Sequence, residues 1–560
     1  AYLAGAWLLL QIADLALPAY GFSDEAMALL INIVVIGVIP AAILSWAFDW
    51  TPDGIARDTG RAMPRANARR MDRAIIIVLL LAVSYFVADK FWLRPAVDLE
   101  VDRSIAVLPF VNMSSDPEQD YFSDGISEEI LNLLAKVQQL RVISRSSAFA
   151  YRGRDVNIPE VAEALNVAYV LEGSVRKAGN RIRITAQLIE AATDKHLWSE
   201  TYDRELEDIF AIQDEVSAKI IDQLKIELTG EAPHAYRTDP ETYAMFLRAK
   251  SEVLKKGYVG DPETIPILEA VIERDPDYVP ALTYLANVML YERNNFGDKS
   301  VYPGEAGERI IREILDRALA VDPKNASAIV QKAWSDYRHD LDIAAVGPMI
   351  EKALSLAPND VLVLEYAMGF SAYIGDHESK VALQKRAVDV DPTCLNCLSR
   401  YVSALLRAGE LDEAESVARR RDTLAPGGKS DLARVYLARK DYKKATDYAG
   451  QIEYEGERLW HRALVALESG DEVTFEKLKA EARELLGSDA PIRALAGDKD
   501  AWFEQAYDYY SNNIGMFGLE LWRQENAYLH GDPRWEKLRE RAGLTDADLA
   551  GIEFNLPEGF

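Results

Sequence analysis

Residues 387–426 read AVDVDPTCLNCLSRYVSALLRAGELDEAESVARRRDTLAP and carry the pattern that decides the fold. Pro392 and Pro426 stand about 34 residues apart, a period typical of stacked helical repeats, and Gly409 lies midway between them. Proline cannot continue a helix, and glycine permits the tight turn that ends one. The stretch therefore predicts two helices joined at Gly409, in a unit that recurs with this period.

The same spacing extends toward the N-terminus. Successive prolines lie near predicted helix ends at Pro276, Pro323, Pro358, Pro392 and Pro426, with nearly equal intervals after the first. The first interval is longer because it contains a loop insertion at residues 293–305. Helix pairs with this period are the signature of tetratricopeptide (TPR) repeats. We predict an all-α, TPR-like superhelical solenoid over residues 239–560, with about seven helix pairs and an irregular C-terminal cap.

Small residues recur at matching positions of the repeat. Ala318, Ala353 and Ala387 each stand the same short distance before a proline, where the partner helix needs a small side chain. Gly375 precedes Gly409 by one full period, at the turn inside the preceding pair. The match is partial, because Val271 and Arg421 occupy the alanine position in two other repeats.

Residues 102–230 predict a small α/β domain. The segment RIRITAQLIE (181–190) alternates apolar and polar residues, which is typical of a strand with one buried face. It follows YVLEGSVRK (169–177) through a turn at 178–180, so the two segments predict a hairpin. We expect further strands in SIAVLPFVNM (104–113), at 140–144 and at 196–206. Amphipathic spacing predicts helices over 123–140, 158–167 and 209–224.

This domain resembles a known bacterial family. The segments IAVLPFVNMSSDPEQDYFSDGISEEI (105–130), LEGSVRKAGNRIRITAQLIEAATDKHLWSETYDREL (171–206) and IFAIQDEVSAKI (209–220) are similar to the TolB amino-terminal-like module. That module occurs between a membrane region and TPR repeats. The resemblance implies protein contacts without known catalysis, and it brings no functional residues to transfer. Relatives often carry an adenylate/guanylate cyclase or a winged-helix DNA-binding domain ahead of the membrane region.

Residues 1–93 predict a membrane anchor. Three apolar runs, at about 2–18, 26–48 and 74–93, have lengths suited to transmembrane helices. The connection at 57–73 carries six arginines, which predicts a cytoplasmic loop. We therefore expect a bacterial inner-membrane protein with residues 95–560 in the periplasm. Because the first run begins directly at Ala1, we also expect a native segment before it.

The charge and the composition of the chain limit the classes of partner and of site that it can have. The net charge of −27 disfavours nucleic-acid binding, because such a surface repels phosphate backbones. The cysteines Cys394 and Cys397 are too few for a disulfide framework, and a zinc site would need two more ligands. We expect a local disulfide between them or two ordinary packed thiols. No residue pattern predicts a catalytic, cofactor or metal site, so we expect no enzyme and no cofactor.

An aromatic excess near the C-terminus has two interpretations. It is either an interface with a partner or the packed core of a helical cap, which we favour. The candidate interface aromatics are Trp502, Phe503, Tyr507, Tyr509, Tyr510, Trp522 and Trp535.

The favoured function is a membrane-anchored scaffold whose solenoid recruits or assembles periplasmic or membrane proteins. A transmembrane sensor or regulator is the first alternative, and an accessory subunit of a larger membrane complex is the second. The sequence leaves homo-oligomerisation, the partner and the biological process open.

Overall fold

The structure is a computed structural model that divides into two compact units, residues 1–99 and residues 100–560, and each is described by itself. It describes the following residues: 48–51, 54–57, 103–116, 119–154, 157–226, 228, 232–256, 259–296, 300–424, 428–512, 524–557 and 560.

In the first unit, strands β1 (Phe48–Thr51) and β2 (Gly54–Arg57) form an antiparallel hairpin. This hairpin pairs Phe48, the last residue of the predicted apolar span 26–48, with Arg57, the first residue of the predicted loop 57–73. The remainder of the predicted spans 2–18, 26–48 and 74–93 lies outside the described residues. None of the helices that the structure does describe is long and apolar enough to span a bilayer.

The second unit begins with a six-stranded mixed sheet. Its strands occur in the spatial order β5-β3-β6-β7-β8, with β4 also pairing with β6. The strands are β3 (Ser104–Val107), β4 (Val111–Asn112), β5 (Arg141–Val142), β6 (Tyr169–Ala178), β7 (Arg181–Glu190) and β8 (Lys195–Glu205). β3 runs parallel to β5 and β6, whereas β6, β7 and β8 are antiparallel neighbours.

Helices cover both faces of this sheet. On β7, Ile182 and Ile184 are fully buried while Arg181 and Arg183 are exposed, as the alternation predicts. The helices of this part are α1 (Asp120–Ala135), α2 (Arg145–Phe149), α3 (Ile158–Leu165) and α4 (Ile209–Gln223). α1 and α4 share the main core with the hairpin, and α2 and α3 form a smaller core on the other face.

Helix pairs follow. They comprise α5 (Pro240–Lys256), α6 (Ile265–Arg274), α7 (Val279–Phe296), α8 (Gly304–Val321), α9 (Ala326–Asp340), α10 (Val346–Leu356), α11 (Val361–Ile374), α12 (His377–Val390), α13 (Leu395–Ala408), α14 (Leu411–Leu424), α15 (Lys429–Ala438), α16 (Tyr442–Gly450), α17 (Glu455–Ser469), α18 (Glu472–Leu486), α19 (Ala490–Leu495) and α20 (Lys499–Asn512). Two short helices end the chain, α21 (Pro533–Ala542) and α22 (Asp546–Leu549).

The small residues of the repeat lie where helices pack closely or end. Ala318 and Ala353 are fully buried between paired helices. Gly375 and Gly409 adopt φ values of 76° and 81° at the turns inside their pairs, a left-handed conformation that favours glycine. Along the solenoid, α7 contacts α9 and α9 contacts α11, so the first helices of successive pairs form one continuous row. The chain is therefore a TPR-like solenoid preceded by a small sheet domain.

The boundary between the two predicted domains does not separate two cores. One buried cluster runs from Ile105 in β3 through the sheet and α5 to Ala328 in α9. Tyr243 of α5 packs edge-on against Phe122 of α1 and Phe210 of α4. Residues 102–230 and 239–560 thus differ in secondary structure but fold together, because α5 buries its apolar side against the α/β part.

Candidate functional site: the cleft between the α/β domain and the first repeats

A cleft of about 870 Å³ opens between α1 of the α/β domain and the row of first helices. Glu129 of α1 and Lys136, which directly follows α1, form one wall. Thr283 and Asn287 of α7 lie in the opposite wall together with Gln331 of α9. The extended segment 232–236, which connects the domain to the repeats, lines the cleft as well. The volume falls within the range of small-molecule and peptide sites.

Gln331 is the most informative residue of this cleft. Its side chain is fully buried, yet neither the amide nitrogen nor the amide oxygen has a hydrogen-bond partner among the described residues. The side-chain oxygen of Asn287 on the neighbouring first helix also has none within that part of the chain. A buried amide without partners costs about 1–3 kcal/mol. Such a cost is recovered when a bound group supplies both a donor and an acceptor, as a peptide bond does.

The wall formed by α1 is held to the repeats by a buried cation. The ammonium of Lys250 on α5 lies 2.8 Å from Glu128 and 3.0 Å from Glu129. Arg145 of α2 also pairs with Glu128, at 2.9 Å. Burial alone would lower the pKa of Lys250, but the two carboxylates outweigh burial and raise that pKa. Burial likewise opposes ionisation of Glu128, and Lys250 with Arg145 lowers its pKa on balance.

Tyr236 fixes the connecting segment inside the cleft. Its hydroxyl donates to the carboxylate of Asp322 and accepts from the side-chain amide of Asn325 at 3.1 Å, in the loop between α8 and α9. The Lys136 ammonium lies 4.7 Å from the centre of its ring. Burial and the Asp322 carboxylate raise the pKa of Tyr236, so the hydroxyl stays protonated and keeps donating.

A second contact lies further along the solenoid, and we call it the Ser–Asp latch (Ser146, Ser147, Asp391 and Thr393). Ser147 donates to the carboxylate of Asp391 at 2.5 Å, and Ser146 donates to the other oxygen of the same carboxylate. The Ser147 hydroxyl also accepts from the backbone N–H of Thr393 at 3.0 Å. The latch therefore joins α2 of the α/β domain to the loop between α12 and α13.

The cysteines singled out in the sequence lie directly after the latch. Cys394 and Cys397 form a disulfide at the start of α13. A carboxylate oxygen of Asp391 and the two sulfur atoms lie within 4.8 Å of one another. Because the sulfurs are bonded to each other and the carboxylate is engaged by the two serines, this group does not offer a cation three free ligands.

The C-terminal aromatics that the structure describes pack internally. Trp502, Phe503 and Trp535 are buried in the core that α9 to α12 share with the end of the chain. Trp502 meets Trp535 edge-on at 5.3 Å between ring centres. These three side chains are therefore not available to a partner, because they are buried in the core of the C-terminal cap. The side chains of Tyr507, Tyr509, Tyr510 and Trp522 lie outside the described residues.

Sequence reasoning missed Gln331 and Asn287. Gln331 stands in the segment AIVQKAW (328–334), where apolar residues at helical spacing surround it. A polar amide inside the buried stripe of a helix is an unusual choice, and that signal was present in the sequence. The opposing wall carried no such signal, because Lys250 and Glu128 are far apart in the sequence and only the fold brings them together.

Comparison with known families matches the α/β part. Residues 101–219 match the family described as HilA/YgeH-like transcriptional regulator, second domain. The resemblance to the TolB amino-terminal-like module stays a prediction. The chain is also 47% identical over 201 residues to putative adenylate cyclase 3 of Rhizobium meliloti (strain 1021). That alignment covers 35% of this chain and 34% of the relative, so the chain spans about a third of the relative's length.

Solved structures overlap partially with this chain. PilW, a widely conserved type IV pilus biogenesis factor, aligns with a TM-score of 0.31 and 17% identity, covering 39% of this chain and 98% of PilW. YrrB, a TPR protein with an unusual peptide-binding site, aligns with a TM-score of 0.27 and 16% identity, covering 38% and 97%. At these scores the fold assignment rests on the repeat pattern that the chain itself displays.

Proposed function

We propose that this chain is a non-catalytic scaffold that binds an extended segment of a partner protein in the cleft. The observation that carries the proposal is the buried amide of Gln331, which has no partner among the described residues. An extended peptide presents an N–H and a C=O to such an amide and satisfies both of its polar atoms. Stacked helical repeats provide curved surfaces of this kind for protein partners.

Two substitutions of buried glutamines test this proposal. Gln331→Leu removes the amide but keeps a similar volume, so we expect partner binding to be lost while the protein becomes no less stable. Gln384→Leu is the matched control, because Gln384 is buried in α12, on a second helix that does not line the cleft. Both variants should remain folded, which thermal unfolding checks.

Binding itself is read by site-specific photo-crosslinking in the native membrane. A crosslinker at Asn287 should capture a partner segment, and one at the exposed Arg309 of α8 should not. Mass spectrometry then identifies the crosslinked peptide. Equal capture at both positions, or capture at Asn287 that survives Gln331→Leu, would refute the proposal.

We further propose that residues 1–93 anchor the chain in a bacterial inner membrane and that residues 95–560 are periplasmic. Six arginines at 57–73 support this orientation. The disulfide supports it as well, because disulfides persist in oxidising compartments. Alkaline phosphatase fused after residue 100 should be active, and the same enzyme fused after residue 65 should be inactive. The reverse pattern would overturn the orientation.

A regulatory role is the second candidate. It is favoured by the match of residues 101–219 to a domain of transcriptional regulators and by the identity with a putative adenylate cyclase. In that case the cleft senses a ligand for a partner or fused output domain. Gln331→Leu in the native protein should then change transcription or cyclic-nucleotide level. An accessory subunit would instead migrate in a stoichiometric membrane complex on native gels, held through residues 1–93.

A further inference from the structure

The disulfide between Cys394 and Cys397 occupies a position where it affects more than its own helix. Cys394 is the N-cap residue of α13. Asp391 of the Ser–Asp latch precedes it in the loop before the helix. Both cysteines are half-buried, and Asn396 between them is exposed. The disulfide therefore lies near the surface, with Cys397 also packed against the neighbouring apolar core.

The latch residues Asp391 and Thr393 lie directly before the disulfide in the chain. Asp391 is only 4% exposed and its carboxylate is held by two serine hydroxyls of the α/β domain. The backbone N–H of Thr393, next to Cys394, donates to one of those hydroxyls. The backbone N–H of Ser144 also donates to the carbonyl of Val390 at 2.7 Å. These contacts come from the last residue of α12 and from the loop that leads into the disulfide ring.

We propose that the Cys394–Cys397 disulfide is a reversible redox site, and that its reduction by a dithiol loosens the Ser–Asp latch. In the reaction, a thiolate of the dithiol attacks one sulfur and forms a mixed disulfide. The second thiol of the reductant then displaces the protein sulfur. Two electrons and two protons move to Cys394 and Cys397, which become thiols, and the reductant leaves as its own disulfide.

The expected effect is confined to one side of the α/β domain. A disulfide that closes a short ring restricts the conformations available to the residues inside and beside it. Without the ring, residues 391–394 sample more conformations. The serines of α2 then lose a fixed position for the Asp391 carboxylate that they bind. Lys250 joins α5 to α1, and Arg145 keeps the start of α2 paired with Glu128, so the domain stays in place while the latch side of α2 loosens.

Hydrogen exchange of the full chain, with and without a dithiol reductant, tests the proposal. We expect amides in 141–149 and 390–397 to exchange about tenfold faster after reduction. Asp391→Ala, which breaks the latch but keeps the disulfide, should give the fast pattern at 141–149 under both conditions. The double variant Cys394→Ser/Cys397→Ser should also be fast in both conditions and should not respond to the reductant.

Three results would overturn the proposal. Thiol labelling could show that the disulfide resists millimolar dithiol in the folded chain. Reduction could accelerate exchange only within α13, which would make the disulfide a local staple. Finally, Asp391→Ala could leave exchange at 141–149 unchanged, which would show that the latch does not hold α2.

Discussion

Replacing Lys250 by methionine is the sharpest test of how the α/β domain is fixed to the repeats. Methionine has an unbranched apolar side chain and removes the ammonium, which lies 5.3 Å from the ring centre of Phe246 and 5.9 Å from that of Tyr284. The carboxylates of Glu128 and Glu129, whose side chains are only 14% and 18% exposed, then lose their shared cation. We expect the substitution to destabilise the contact between α1 and α5.

The expected loss of stability depends on which cations Glu128 and Glu129 keep after the substitution. Breaking a buried ion pair by removing one partner costs about 3–5 kcal/mol, because the other charge stays buried. Glu128 keeps Arg145 at 2.9 Å, so the lower end applies, about 3 kcal/mol. Adding Glu129→Gln to Lys250→Met removes the carboxylate left without a cation, and we expect about half of the loss to be recovered.

Native-state hydrogen exchange at the amides of α1 measures this quantity as a free energy of opening. Amides of α17 and α18, far along the solenoid, serve as the internal control and should not change. The reasoning is refuted if opening of α1 becomes easier by less than about 1 kcal/mol, or if the double variant is no better than Lys250→Met.

Three further predictions concern other parts of the fold. Burial raises the pKa of Asp124 to about 6, from an ordinary value of 3.8. The contribution of Asp124 to the stability of the fold is therefore complete below the pKa of the unfolded chain, 3.8. That contribution is lost as pH rises through the folded pKa of about 6. Asp124→Asn should gain Tm relative to the wild type as pH rises from 3.8 through about 6, and a difference that stays constant across this range would contradict the prediction. Ala353→Leu overpacks the fully buried contact between α10 and its neighbours and should cost about 1–3 kcal/mol in thermal unfolding, whereas Ala344→Leu at an exposed site should be nearly neutral. Gly409→Ala imposes a side chain on φ 81° and should cost about 1 kcal/mol, and the control Gly450→Ala at a helix end should not lower Tm.

Features encoded by local periodicity were predictable from the sequence. The alternation of Ile182 and Ile184 with Arg181 and Arg183 specifies a strand face, because side chains on a strand alternate regardless of distant contacts. The spacing of prolines and of Gly375 and Gly409 specifies helix ends in the same local way.

Features that depend on distant residues were not predictable. The common core of the α/β part and α5 arises from contacts such as Leu247 against Gly125, which no window of sequence contains. The cleft itself exists only because α1 and the row of first helices face each other. The β1–β2 hairpin was missed for a different reason: Phe48 continues a long apolar run typical of a helix, although the sequence TPDG at 51–54 favours a turn.

The shared core has a consequence for the end of the superhelix. A stack of repeats has two terminal faces, and an isolated array must cover each with a polar helix to remain soluble. Here the starting face, with Tyr243, Phe246 and Leu247 on α5, is covered by the α/β domain. The α/β domain therefore caps the first helix of the solenoid. We expect a fragment beginning at residue 239 to expose this apolar surface and to aggregate. Residues 100–560 are one compact unit, and the contact between the α/β domain and α5 supplies part of its core.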